Sequence, residues 1–76
     1  MKSTRDLISD ELRSLRAKAN LNLEEVALKT NISKDTLSRY ERNQVAMNID
    51  ILEKILNFYD VNFDIFFTQI YAKKQN

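Results

Sequence analysis

The chain has 76 residues, with 12 basic and 11 acidic side chains, a formal net charge of +1, and no Cys, His, Gly or Pro. This length predicts one small domain over residues 1–76, and the missing Cys and His exclude disulfides, Cys or His metal sites and the usual Ser-His and Cys-His nucleophile pairs, so no cofactor is expected. The longest apolar runs have three residues, far fewer than the ~20 that span a bilayer, and the N-terminus becomes charged too early for a signal peptide, which predicts a cytoplasmic protein with no membrane partner.

The absence of Gly and Pro favours an all-α fold, because the tight turns of a β-rich domain usually need one or the other. It also constrains the helix ends, since many helices end on a left-handed residue and Gly adopts that conformation most cheaply. Asn and Asp are the other residues that tolerate it, and the chain has eight Asn. We therefore predict positive φ angles at four helix ends, namely Asn20, Asn31, Asn43 and Asp60.

A helix-start signal recurs four times along the chain. An apolar residue precedes a small polar residue, and a second apolar residue follows four positions later, which is the spacing of an N-cap with a hydrophobic staple. Asn22 and Glu25 add the arrangement of a capping box, and Ser3 or Thr4 is placed to cap the first helix. The recurring signal predicts four further caps, at Asn22, Ser33, Asn48 and Asn62.

Five helices follow from these signals and from the apolar spacing, over residues 4–19, 23–30, 34–42, 49–59 and 63–71. The expected core is 4–71, and the polar tail, 72–76, is expected to fray. The side chains predicted to face inward lie at helical spacing: Ile8, Leu12, Leu15, Ala19, Val26, Ala27, Leu37, Tyr40, Leu52, Ile55, Leu56 and Tyr59.

The second and third predicted helices are short, and only three residues, 31–33, link them. Such a link suits two helices that cross steeply. Ala27 supplies a small residue at the crossing and Asn31 a left-handed residue in the turn, while Val26, Ile32 and Leu37 supply apolar contacts on both sides. The pattern predicts a helix-turn-helix.

Residues 10–67 resemble the phage-repressor and Cro type of helix-turn-helix domain, the XRE family, through the segments ELRSLRAKANLN, LEEVALKTNISKDTLSRYERN and NIDILEKILNFYDVNFDIFF. The resemblance implies a five-helix, lambda-repressor-like fold that binds double-stranded DNA with its third helix in the major groove. The implied function is sequence-specific regulation of transcription, with a repressor as the expected type. The resemblance also implies a salt bridge between Arg16 and Glu41 that fixes the third helix. The chain departs from the family at Leu23, where Gln is frequent, and at Ile65, where a polar residue is usual.

The exposed face of the third helix contains the candidates for base contacts. Arg39 has the fork of donors that matches a guanine edge, and Asp35, four residues earlier, can orient it or accept a hydrogen bond from cytosine. The full set of base-contacting candidates is Lys34, Asp35, Thr36, Ser38 and Arg39. The candidates for contacts with the DNA backbone lie at the helix ends: Asn22, Leu23, Arg42, Asn43 and Gln44.

The charge distribution favours a homodimer on an operator with two half-sites. Residues 1–42 carry a balance of +2, whereas residues 43–72 carry −3. The isoelectric point of about 8.0 is low for a DNA-binding domain, so one copy is expected to bind weakly. The fifth helix has more apolar side chains than one buried face needs, and the candidates for a dimer interface are Ile65, Ile70 and Tyr71.

Two other classes of function compete with a DNA-binding regulator. A protein-interaction module, such as an antitoxin or an adaptor, would use the surplus apolar groups of the fifth helix to bind a partner, and a regulatory protein partner is also compatible with the main hypothesis. A small-molecule ligand is not expected in so short a chain. An enzyme is the weakest class, because neighbouring carboxylates such as Asp10 and Glu11 point apart on a helix and no Gly-rich phosphate loop is present. A regulator of this kind would be associated with the nucleoid.

Overall fold

The computed structural model describes residues 2–74, and within that range it contains five α-helices and no β-strand. All five helices begin at the predicted residue. The all-α, five-helix fold class is therefore confirmed. The helices are α1 (Thr4–Lys18), α2 (Leu23–Thr30), α3 (Lys34–Glu41), α4 (Ile49–Phe58) and α5 (Phe63–Lys74).

The helix starts are fixed by side-chain caps, as the recurring signal predicts. Asn22 Oδ1 accepts a hydrogen bond from Glu25 N at 2.8 Å, and Glu25 Oε1 accepts one from Asn22 N at 3.1 Å, which completes the capping box. Ser3 caps α1 in the same reciprocal way with Asp6. Caps of this kind satisfy helix N–H groups that have no partner within the helix. The remaining predicted caps, Ser33, Asn48 and Asn62, also accept from the first turn of their helices.

The helix ends contain the four predicted left-handed residues, with φ angles of 57° at Asn20, 59° at Asn31, 53° at Asn43 and 58° at Asp60. Three of them lie in Schellman motifs; after α3, for example, Gln44 N donates to Arg39 O at 2.9 Å and Asn43 N to Tyr40 O at 3.4 Å. Because the residue before such a turn is only half within the helix, α1, α3 and α4 each end one residue earlier than predicted.

We expect Asn31→Gly to leave the free energy of unfolding within about 0.5 kcal/mol of wild type, because Gly adopts a positive φ without cost. Asn31→Val should lower it by about 1–2 kcal/mol, since a β-branched residue is strained in the left-handed region. Asn57→Val, within α4, is the matched control and should have a smaller effect. Urea unfolding monitored by circular dichroism measures all three, and equal losses for the two Val variants would contradict the assignment.

The hydrophobic core draws on all five helices and on the link between α2 and α3. In this arrangement α1 packs against α3 and α5, and α2 packs against α3 and α4. Ala19 is exposed, contrary to prediction, because it is the C-cap residue at which the chain leaves α1. Leu15 and Tyr59 are half-buried at the edge of the core. The buried apolar side chains are Leu7, Ile8, Leu12, Val26, Ile32, Leu37, Tyr40, Leu52, Ile55, Leu56, Phe66 and Ile70.

The prediction for α5 was wrong in two respects. Ile70, a candidate for the dimer interface, is 0% exposed and belongs to the core, because it lies one turn after the buried Phe66 on the same face. The helix also continues through residues 72–74, where fraying was expected. The physical reason is an ion pair between Lys73 Nζ and the buried carboxylate of Glu11 on α1, which holds the last turn of α5. Residues 75–76 of the predicted tail lie outside the described residues.

Candidate nucleic-acid interface

The turn between α2 and α3 is held by hydrogen bonds to the last residues of α2. The buried Thr30 hydroxyl donates to Val26 O at 2.7 Å and accepts from Ile32 N at 3.3 Å. Asn31 N donates to Ala27 O at 2.9 Å, and the Ile32 side chain is buried in the core. The turn therefore fixes where α3 begins relative to α2.

The outer face of α3 presents charged side chains to solvent. Lys34, Asp35 and Arg39 are exposed, and Arg39 Nε lies 3.0 Å from Asp35 Oδ2. The structure thus brings together the two groups that the four-residue spacing pairs. The other two candidates for base contacts, Thr36 and Ser38, are half-buried and offer hydroxyl groups at the edge of this face.

Lys34 has a partner that sequence reasoning missed. Its Nζ lies 3.0 Å from Oε1 of Glu24, which is the second residue of α2. The two residues are ten positions apart in the sequence, and the turn brings the N-terminal ends of α2 and α3 close enough for the contact. The sequence signal that could have predicted this ion pair is the presence of opposite charges at the starts of two short consecutive helices.

The residues after α3 separate into exposed and inward-facing side chains. Arg42 and Gln44 are exposed, and Arg42 Nε donates a long hydrogen bond to Ser38 O at 3.4 Å. The side chain of Asn43 was predicted to meet the DNA backbone, but its Nδ2 donates to Asp6 Oδ1 at 2.7 Å and its Oδ1 is shielded from solvent. That prediction is therefore wrong for the side chain, because the left-handed turn directs it towards α1.

The N-terminal end of α2 offers backbone groups rather than side chains. The Asn22 side chain is engaged in the capping box, and its own N–H donates to Glu25. The Leu23 side chain is half-buried against the core. What the first turn of α2 presents is the positive end of the helix dipole, with amides that lack a partner in the helix.

Arg16 and Glu41 form a two-pronged ion pair between α1 and α3. Arg16 Nε lies 2.9 Å from Glu41 Oε2, and Arg16 Nη2 lies 2.9 Å from Glu41 Oε1. The hydrogen bonds to the carboxylate raise the pKa of Arg16 above its ordinary value. The half-buried Tyr59 lies close by, and burial together with the charge of Glu41 raises the pKa of its hydroxyl to about 12. The ion pair thus joins the C-terminal end of α3 to α1.

Further polar side chains of α1 hold the same end of α3, and the sequence analysis did not single them out. The buried Ser9 Oγ donates to Tyr40 O at 2.6 Å, and Arg13 donates to Glu41 O. These bonds supply partners to carbonyl groups that a helix end leaves open. The donation from Asn43 is the largest cause of the lowered pKa of Asp6. We call this set the α1 clamp: Asp6, Ser9, Arg13 and Arg16.

The arrangement as a whole is an exposed, charged helix face on a rigid support. An Arg held beside a carboxylate matches the donors and acceptors that base edges present in the major groove. Within the described residues, no group of three or more Asp and Glu side chains is arranged to hold a metal ion. No described helix is both long and apolar enough to cross a membrane.

Three comparisons with known proteins agree with this geometry. A helix-turn-helix family model matches residues 12–66. The chain is 34% identical over 55 residues to the cryptic phage CTXphi transcriptional repressor RstR of Vibrio cholerae, a match that covers 72% of this chain. It spans about half, 50%, of the length of that curated relative.

Solved structures of one protein share the fold over the whole chain. The restriction-modification controller protein C.Esp1396I, solved as a tetramer with its natural 35 base-pair operator, has a TM-score of 0.88 at 22% identity, with 100% of both chains covered. A variant of the same protein has a TM-score of 0.87 at 25% identity, with 98% of its chain covered.

Proposed function

The chain belongs to the helix-turn-helix family, and on that premise we propose that it is a sequence-specific regulator of transcription that binds double-stranded DNA with α3 in the major groove. One observation carries the proposal. The Arg39–Asp35 pair lies on an exposed helix face, and the α1 clamp fixes the C-terminal end of that helix. A helix that is rigidly held and charged outwards is what base recognition requires.

A repressor is the type of regulator that the comparisons favour. RstR is a phage transcriptional repressor, and C.Esp1396I was solved on its operator. Such a protein acts by occupying DNA, so the proposed role is binding rather than catalysis. The site of action is the nucleoid, in the cytoplasm.

The proposed contacts of α3 are of two kinds: side chains on its exposed face contact bases, and side chains at its C-terminal end contact the DNA backbone. Arg39 donates two hydrogen bonds to a guanine edge, while Asp35 orients its guanidinium or accepts from a cytosine amine. Lys34, Thr36 and Ser38 meet neighbouring base edges or phosphates. Arg42 and Gln44, together with the first amides of α2, meet the DNA backbone and set the register.

The surface of α5 and the need for two half-sites support a homodimer. Ile65 and Tyr71 are 52% and 56% exposed, which is a large apolar surface for one small helix. The half-buried Phe63 and Phe67 rings stack with centroids 6.0 Å apart, and their four-residue spacing places them on the Tyr71 side of the helix. In such a dimer we expect the two α3 helices to lie about 34 Å apart, because that is one turn of DNA.

Ile65→Asp should weaken dimerisation at least about tenfold, which corresponds to about 1.4 kcal/mol. The reason is that a carboxylate at the interface would lose its hydration without gaining a partner. Sedimentation velocity over a concentration series measures the monomer–dimer equilibrium. Leu28→Asp is the matched control, because Leu28 is an exposed apolar residue on α2, at 84%, and its loss should leave the equilibrium unchanged. Wild-type protein that stays monomeric at high micromolar concentration, with and without DNA, would contradict the dimer.

Selection of bound sequences from a pool of random duplexes tests the proposed function directly. The expected result is a pair of symmetric half-sites with centres about 10 base pairs apart. Recovery of no preferred sequence would contradict it.

A protein-interaction module is the second candidate, and the exposed Ile65 and Tyr71 favour it. In that case the apolar surface of α5 would bind a different protein rather than a second copy. Specific DNA binding by the purified chain alone would exclude this alternative as the main function.

A further inference from the structure

The first turn of α2 holds two acidic residues with different roles. Glu25 completes the capping box, so its carboxylate is needed where it lies. Glu24 takes no part in that box, and its carboxylate instead lies 3.0 Å from Lys34 Nζ, with the two side chains 75% and 57% exposed. The ion pair spans the open groove between the starts of α2 and α3, which is lined by Ala27, Ile32 and Ser33 among others.

The position of Glu24 opposes the attraction that a helix start has for phosphate. The positive end of the α2 dipole would otherwise favour an anion there. A carboxylate at this point neutralises part of that positive potential and repels a DNA phosphate. By pairing with Lys34 it also engages a cation that would otherwise neutralise phosphate on DNA of any sequence.

We infer that Glu24 is a specificity-determining residue, which lowers sequence-independent DNA binding by holding Lys34 away from phosphates; this rests on the DNA-binding function proposed above. Binding to arbitrary DNA draws its affinity from phosphates neutralised by Lys and Arg. Binding to the operator adds base contacts, in which Lys34 exchanges Glu24 for a base edge at a fixed place. Glu24 therefore lowers the affinity for arbitrary DNA more than it lowers the affinity for the operator.

The test is Glu24→Gln in the full-length chain, measured by fluorescence anisotropy against a selected operator duplex and a scrambled duplex of the same length and composition. Affinity for the scrambled duplex should rise at least about threefold at 0.1 M salt, and the slope of log K against log salt should steepen by about 0.9 per protomer. The ratio of operator to scrambled affinity should fall.

Two controls separate the effect of position from that of charge alone. Glu53→Gln removes the same charge from the exposed face of α4. It should leave the affinity for the scrambled duplex and the salt slope unchanged. In a Lys34→Gln background, Glu24→Gln should raise the affinity for the scrambled duplex much less. The reason is that Lys34, the cation that the substitution releases, is absent.

Each other outcome overturns the inference in an identifiable way. If Glu24→Gln matches wild type or Glu53→Gln on the scrambled duplex, Glu24 has no such role, although the proposed function stands. If its gain persists in the Lys34→Gln background, simple repulsion explains it and the restraint of Lys34 is excluded. If the wild-type chain binds neither duplex, the proposed function itself fails, and the inference with it.

Discussion

Ile70→Asp is expected to remove a large part of the free energy of unfolding. Ile70 is fully buried between α5 and the rest of the core, so the substitution removes a packed side chain and places a carboxylate where no water reaches it. The two effects together should cost more than about 4 kcal/mol. A domain of this size has a free energy of unfolding of only about 4–11 kcal/mol, from the usual range per residue.

Circular dichroism with thermal and urea unfolding measures this prediction. Ile65→Asp is the matched control, because it makes the same substitution five residues earlier on the exposed side of α5 and should retain the helical signal. Ile70→Val, which removes one methylene, should fold and lose about 1 kcal/mol. An Ile70→Asp chain that unfolds cooperatively within about 1 kcal/mol of wild type would show that α5 does not pack as described.

The second large effect is expected from Arg39→Ala, which should weaken operator binding by about 1–3 kcal/mol per half-site and relax the preference at one base pair. Arg39 has the planar fork of donors that pairs with guanine, and Asp35 holds that fork at 3.0 Å on the exposed face. In a dimer the loss applies to both half-sites. Titration of operator variants, each with one base pair changed, at fixed salt measures the preference.

Arg42→Ala is the comparison for Arg39→Ala. Because Arg42 is the C-cap of α3, it should contact phosphate, so its loss should weaken all sequences alike and lower the salt slope by about one per contact. Asp35→Ala should change which base is preferred rather than abolish binding. If Arg39→Ala weakens every operator variant equally, Arg39 contacts the DNA backbone, and its assignment to base contacts is wrong.

The sequence predicted the helix boundaries well because the signals for them are local. Asn22 caps α2 through a residue three positions away, and Asn31 ends it by its own backbone angle. Neither depends on the rest of the fold. The steep turn of the helix-turn-helix follows from the same short-range signals, which is why the exposure of Lys34 and Arg39 on α3 could be predicted beforehand.

The errors arose where a distant partner decides the outcome. α5 is apolar around most of its circumference, so spacing alone could not distinguish the buried Ile70 from the exposed Ile65. The side chain of Asn43 turns inward because of Asp6, which is 37 residues away. Ser9 and Arg13 resemble any polar residues on a helix surface until α3 lies against them.

The α1 clamp has a consequence for the order in which the protein folds. Its contacts with α3 and the following turn join residues that are 25, 28, 31 and 37 positions apart in the sequence. Contacts of that separation form only after a long loop closes, a step whose entropy is lost before the contacts compensate for it. The local caps can form α2 and α3 early, but they leave the direction of α3 undetermined. A peptide that contains the two helices alone would therefore lack a fixed orientation of α3, and in a growing chain the proposed DNA-binding surface would form only when α1 has docked.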